Sequence, residues 1–345
     1  MKNICELFNI DVPIIQAPMA GVQDHALAVA VSNAGGLGSL PCAMLSIDTL
    51  REELSHLAAK TTKPYNVNFF CHTPPTPDAA REAAWRAALA PYCAEFGVAA
   101  NTASAIRLPF NADMAALLEK FKPPVVSFHF GLPAPDLLTH VRAWGAKIIS
   151  SATTVAEARW LEAEGVDAII AQGLEAGGHR GMFLSADITT QIGTMALLPQ
   201  IVRAVNVPVI AAGGIADARG VRAALALGAA GVQIGTAYLL CDEAKTSAVH
   251  RRALQGEAAL HTALTNIFTG RPARGIVNRL MRELGPISGA APAFPLAATA
   301  VAPLRAWAEQ QGSGDFSPLW AGQNISGCRE ISAGELTRTL MGEPR

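Results

Sequence analysis

One feature constrains this chain more than any other. Short apolar, β-branched runs alternate with longer Ala/Leu-rich amphipathic runs from the N-terminus to about residue 240. The strand candidates are Pro13–Ala17, Leu37–Leu40, Tyr65–Phe70, Val125–Phe130, Lys147–Ser150, Ala168–Gln172, Val209–Ala212 and Gly231–Ile234. Between them the spacing predicts helices, among them His25–Asn33, Ile47–Lys60, Asp78–Ala90, Pro135–Trp144, Val155–Glu164, Met195–Val205 and Ala218–Leu227. Strands that are apolar on both faces and separated by helices imply a parallel sheet covered on both sides. Eight such units imply an α/β fold of the (β/α)8, or TIM, barrel type. An open doubly wound sheet is the rival, but the first strand–helix turn, Gln16-Ala17-Pro18-Met19-Ala20-Gly21-Val22, is not a G-x-G-x-x-G dinucleotide turn.

After Gly235-Thr236-Ala237-Tyr238-Leu239-Leu240 the alternation stops. Residues 242–285 read as helical with basic and polar character, followed by a Pro/Ala segment and a helix at Arg305–Gln311. The expected division is a barrel over 1–241, a smaller, mainly helical capping domain over 242–315, and a tail over 316–345 that returns to the barrel. Hydrophobic residues make up 50% of the 345, and only 16% are charged, which excludes a disordered chain. A net charge of -1 could not hold a nucleic-acid backbone or an anionic membrane by bulk electrostatics. The one long uncharged stretch, Leu284–Leu304, carries four prolines and two glycines, too many breaks for a membrane-spanning helix. Glu6, Asn9 and Asp11 interrupt any apolar leader. The six cysteines form no C-x-x-C pair, as expected for free thiols in a reducing cytoplasm.

Chemistry concentrates in the segments that follow the strands. Ala212-Gly213-Gly214-Ile215-Ala216-Asp217 and Gln233-Ile234-Gly235-Thr236 end the last two barrel strands. Glycines there let backbone N–H groups approach a phosphate, aided by a following helix N-terminus and the Thr236 hydroxyl. Gln172 opens a loop with Gly177, Gly178, His179, Arg180 and Gly181, in which His179 suits proton transfer or an anionic substrate. Asn68, in an apolar strand, needs a polar partner. His129 ends the fourth strand on the same face as Ser127, and Ser150 and Ser151 end the fifth. His25, His56, His72, His140, His250 and His261 show no metal-ligand spacing, and most read as solvated. Hydrolase elbow and zinc-protease motifs are absent.

Taken together, these segments resemble the nitronate monooxygenases, formerly called 2-nitropropane dioxygenases. The carrying residues are Gln16–Gly21, Ser32-Asn33-Ala34-Gly35-Gly36-Leu37-Gly38, Asn66–Phe69, Glu175–Gly181, Ala212–Asp217, Gln233–Thr236 and Leu319-Trp320-Ala321-Gly322-Gln323. The resemblance implies an FMN-dependent barrel with a second, smaller domain over its mouth. It would lay Ala17, Pro18, Met19 and Ala20 against the flavin ring, with Asn68 and Gln172 at its polar edge or ribityl chain. Gly177 and Gly178 would pass close to it, and Gly213, Gly214, Gln233, Ile234, Gly235 and Thr236 would hold the phosphate end. His179 would face the substrate, assisted by His129, with Trp320 and Gln323 supporting the pocket. The segment Phe294–Leu304 departs from the family pattern in having no tyrosine and no lysine, which suggests a more apolar pocket.

The expected reaction is oxidation of alkyl nitronates by O2 to a carbonyl compound and nitrite. A nicotinamide-dependent reductase of quinones or enoyl thioesters is the first rival, a sugar-phosphate isomerase or lyase the second, and a silent flavin carrier the third. The expected partners are a small-molecule substrate and O2, with neither nucleic acid nor membrane, and a homodimer is allowed.

Overall fold

A computed structural model of the chain describes residues 3–99 and 108–342. Eight parallel strands form the central sheet: β1 (Ile14–Gln16), β2 (Gly38–Pro41), β3 (Tyr65–Phe70), β4 (Val125–His129), β5 (Lys147–Ala152), β6 (Ala168–Gln172), β8 (Val209–Ala212) and β9 (Gly231–Ile234). Between β6 and β8 in the chain lies a short strand, β7 (Gly178–His179), that belongs to another sheet. The central order is β1-β9-β8-β6-β5-β4-β3-β2, and an Ile15–Leu37 bridge joins the two ends and closes the barrel. Each strand predicted from the sequence is present within a residue or two of its expected ends. Helices lie against the strands; His25–Asn33, for example, buries Leu27, Ala28 and Val31 at helical spacing. Gly38 makes that contact feasible, since a Cβ there would lie 1.9 Å from the Ala28 carbonyl oxygen.

The elements over the barrel mouth differ from the sequence reading. Residues 242–285 are not helical throughout. They hold the helix Ala248–Gln255, then two strands, β10 (Thr262–Thr265) and β11 (Ala273–Ile276), then the helix Arg279–Glu283. β11 pairs antiparallel with β10 and with β7, placing Ala273 opposite His179. The two strands are short and β11 carries Arg274 and Gly275, so local propensity is weak, and β11 also pairs with a segment about 90 residues away. Gly275 also admits the Trp320 ring, whose Cε3 would sit 3.0 Å from an added Cβ.

The helix expected at Asp78–Ala90 runs instead over Ala79–Phe96, through Pro91. Its far end is held by packing: Phe96 stacks on Trp307 at 4.1 Å, and Arg279 forms two 2.8 Å contacts with Glu95. Trp85, Leu89 and Tyr92 share a hydrophobic cluster with Ile267, Phe268, Leu280, Val301 and Leu304. The β3–β4 connection therefore contributes to the cover over the mouth, alongside the helix Ala297–Gln310. No helix of the described residues is long and apolar enough to cross a membrane.

Candidate active site

At the carboxyl ends of the strands, beneath the cover, lies a cavity of about 590 Å3. That is the face on which barrel enzymes place their chemistry. Most of the candidate site residues read from the sequence line it: Ala17, Pro18, Met19 and Ala20 after β1, Asn68 on β3, and His129 on β4. Gln172 lines it at the end of β6, with Gly177, Gly178 and His179 beyond, as do Gly213 and Gly214 after β8 and Gln233, Ile234, Gly235 and Thr236 at β9. The strand register explains the grouping, because Gln172 pairs with Ala212 and Ala212 with Gln233, while Asn68 pairs with Ser127.

One end of the cavity is a backbone cradle. Gly213 and Gly214 have φ of +119° and +73°, conformations that side chains rarely tolerate. A Cβ on Gly213 would meet Thr194 Oγ1 at 2.8 Å and Ala176 N at 3.0 Å. Gly235 starts the short turn Thr236–Leu240 with no side-chain cap. The Thr236 hydroxyl accepts from Gly322 N at 2.9 Å, which leaves its own proton to donate. The helix that follows, Ala218–Ala226, is capped by Asp217, whose side chain accepts from Gly220 N at 2.8 Å.

The other end is built around His179. Its Nε2 lies 2.9 Å from Thr269 Oγ1, on the β10–β11 connection. The rings of Phe70, Phe130, Phe294 and Trp320 surround it at centroid separations of 5.4–6.1 Å. Its backbone carbonyl accepts from Gln172 Nε2 at 2.9 Å and from His129 Nε2 at 3.2 Å. Gln172 Oε1 in turn accepts from Gly181 N at 2.7 Å. Both ring nitrogens of His129 are engaged, since the Ser151 hydroxyl donates to Nδ1 at 3.0 Å. Burial, reinforced by Arg271 and Arg180, holds His129 down to about 4, so it is neutral near pH 7. Gln172 and His129 thus grip the segment carrying His179.

Three guanidinium groups stand behind this end. Arg180 is 0% exposed and donates to Gln191 Oε1, Gly173 O and Gln172 O at 2.7–2.8 Å. Arg274 donates to Leu174 O, and Arg271 lies 3.9 Å over the Phe130 ring and donates to Met182 O. Burial lowers all three, to about 10 for Arg180 and Arg271, and each remains protonated at neutral pH. Their carboxylate neighbours are Glu157 and Glu175. Three cations against two anions favour an anionic guest.

Other details go beyond the sequence reading. Gly177 lines the cavity and also abuts the returning tail, where a Cβ would meet Ala321 C and Gly322 N at 2.6 Å. Gln323 does not line the cavity; its side chain is exposed and its backbone N–H donates to Glu175 O at 3.0 Å. Asn324, not singled out from the sequence, lines the cavity and donates to Gly214 O at 2.9 Å. Of the six histidines mostly expected to be solvated, His72 and His250 are both 4% exposed. Thr269 gave no sequence signal at all, since a lone threonine in a loop has no pattern to betray it.

Fold and cavity define a (β/α)8 barrel with a ligand-sized pocket at the carboxyl ends of its strands. A family profile for nitronate monooxygenase matches residues 2–343, so the chain belongs to the nitronate monooxygenase family. The nitronate monooxygenase of Pseudomonas aeruginosa is 45% identical over 344 residues, spanning 98% of each chain. Among solved structures, a nitroalkane oxidase from Streptomyces ansochromogenes superposes with a TM-score of 0.89 at 40% identity, covering 99% of this chain and 97% of the other. FabK from Thermotoga maritima superposes with a TM-score of 0.72 at 28% identity, over 99% and 96% of the chains.

Proposed function

We propose that the chain binds FMN and uses it to oxidise alkyl nitronates with O2, giving a carbonyl compound and nitrite. One observation carries the cofactor assignment. Gln233 Oε1 is buried with no partner among the described residues, on a side chain that lines the cavity in the register row with the glycine cradle. A buried acceptor left unpaired is costly, so this amide calls for a donor on a guest. An FMN provides one in its ribityl hydroxyls or ring N–H, and its phosphate matches the backbone of Gly213, Gly214 and Gly235 and the Thr236 hydroxyl. Ala17, Pro18, Met19 and Ala20 would lie against its ring, and Asn68 would meet its polar edge.

When bound, the flavin supplies the electron-transfer and oxygen chemistry. The chain's own residues bind and polarise the substrate. A nitronate is already a carbanion equivalent, so no strong base is required. His179 stabilises its anionic oxygens by donating a hydrogen bond, and the buried guanidinium groups set a field that favours them. The aromatic rings around His179 exclude water, which strengthens both effects.

His179→Asn is expected to keep FMN bound while lowering nitronate turnover at least ~100-fold, the scale of one oxyanion or general-base contact. Oxygen consumption and nitrite release measure this, and wild-type turnover in the variant would overturn the assignment. Rapid anaerobic bleaching by NADH or NADPH, with no response to nitronates, would favour the reductase reading.

A further inference from the structure

Beyond Trp320 the cavity continues under the helix Ala297–Gln310 to a second polar end, lined by Ser247, His250, Arg305, Glu309 and Ser317. Arg305 and Glu309 satisfy each other there: Arg305 Nε donates to Glu309 Oε1 at 2.8 Å, and the Ser317 hydroxyl donates to the same oxygen at 2.7 Å. Their charges cancel. Ser247 is occupied in capping the helix Ala248–Gln255.

His250 is the exception. It is 4% exposed, and its Nε2 has no partner among the described residues. Burial keeps the ring neutral, pushing it down to about 4. A neutral imidazole nitrogen accepts or donates according to its tautomer, so the unmet need at this end of the cavity is a neutral hydrogen-bonding group.

We propose that this end is a substrate subsite for a neutral hydroxyl, hydrogen-bonded to His250 Nε2, on the chain remote from the reacting carbon. This rests on the reading that the reacting end sits at His179. Trp320 and His250 line the same cavity, with the Trp320 ring 5.6 Å from that of His179.

The test compares kcat/KM for ω-hydroxyalkyl nitronates with methyl-terminated nitronates over a chain-length series. Wild type is expected to prefer the hydroxyl by about three- to tenfold at the matching length, the scale of one neutral hydrogen bond. His250→Leu should abolish that ratio, and His250→Gln, which retains an acceptor, should keep part of it. A ratio of one or below at every length, or a larger preference for an ω-carboxylate, overturns the subsite. A second readout does not need turnover: the FMN-loaded protein with 15N-labelled histidine is titrated with 1-pentanol. The His250 Nε2 resonance should move toward that of a hydrogen-bonded nitrogen, and its constancy at saturating alcohol overturns the proposal. Absence of nitronate turnover with a moving resonance would reject the proposed reaction while leaving the subsite standing.

Discussion

Replacing His129 with phenylalanine separates holding His179 in place from taking part in the chemistry. The ring volume is nearly kept, and two hydrogen bonds are lost: Ser151 Oγ to Nδ1 and Nε2 to the His179 carbonyl. The carbonyl keeps its bond from Gln172, so the loss is partial. Two neutral hydrogen bonds together contribute about 1–3 kcal/mol. In a chain of this size that corresponds to a fall in Tm of about 1–4 °C. A displacement of His179 by a fraction of an ångström to about 1 Å is expected to lower kcat ~10–100-fold. The decisive assay is a double-mutant cycle with His179→Asn, scored on kcat for a simple alkyl nitronate. If His129 acts through His179, adding His129→Phe to His179→Asn costs less than about threefold further, because the group being positioned is already gone. Effects that multiply in the double variant would refute the positioning role and return His129 to direct chemistry.

Three further outcomes follow from the same geometry. Gly213→Ala should weaken FMN binding severely while leaving a folded barrel, since the new Cβ would meet Thr194 Oγ1 at 2.8 Å in a backbone with φ of +119°; equilibrium dialysis against FMN and far-UV circular dichroism read the two parts. Thr236→Val removes a donor from the cradle and strands Gly322 N, so FMN affinity should fall about tenfold or more, as measured by fluorescence titration. Stability should depend on pH through His129 and His250, both held down to about 4 in the folded chain against about 6.5 unfolded. Between those values the unfolded chain binds protons that the folded chain does not. Stability from these groups is thus fully present above about pH 6.5 and is lost as pH falls toward 4, by at most about 3 kcal/mol for each histidine. Urea denaturation of the holoprotein across that range should show the decline, with a shallower slope in His250→Leu; an equal slope would refute the assignment.

The barrel was legible because each strand must be apolar on both faces, a pattern that Ile148-Ile149, Ile169-Ile170 and Val209-Ile210 display without help from distant residues. The cradle was legible because Gly213, Gly214 and Gly235 mark backbone that needs to approach something closely. The cover was much less so. β10 and β11 pair with each other, and β11 with the distant His179 segment, while the helix past Pro91 exists through Tyr92 and Phe96 meeting the cover. Neither pairing leaves a local trace. The grip on His179 is likewise tertiary: Gln172 looked like a cofactor ligand and His129 like a catalytic group, and only their hydrogen bonds show them holding the same carbonyl. His250 carried no spacing signal, and its burial alone sets it apart.

The central claim is that the glycine cradle presents FMN to a nitronate held at His179. Anaerobic mixing of the FMN-loaded protein with ethylnitronate, followed by flavin absorbance, tests it most directly. The account predicts rapid loss of the visible flavin bands in wild type and a rate at least ~100-fold lower in His179→Asn. A protein that retains no flavin after reconstitution, or whose bound flavin stays oxidised in the presence of nitronate, would contradict it.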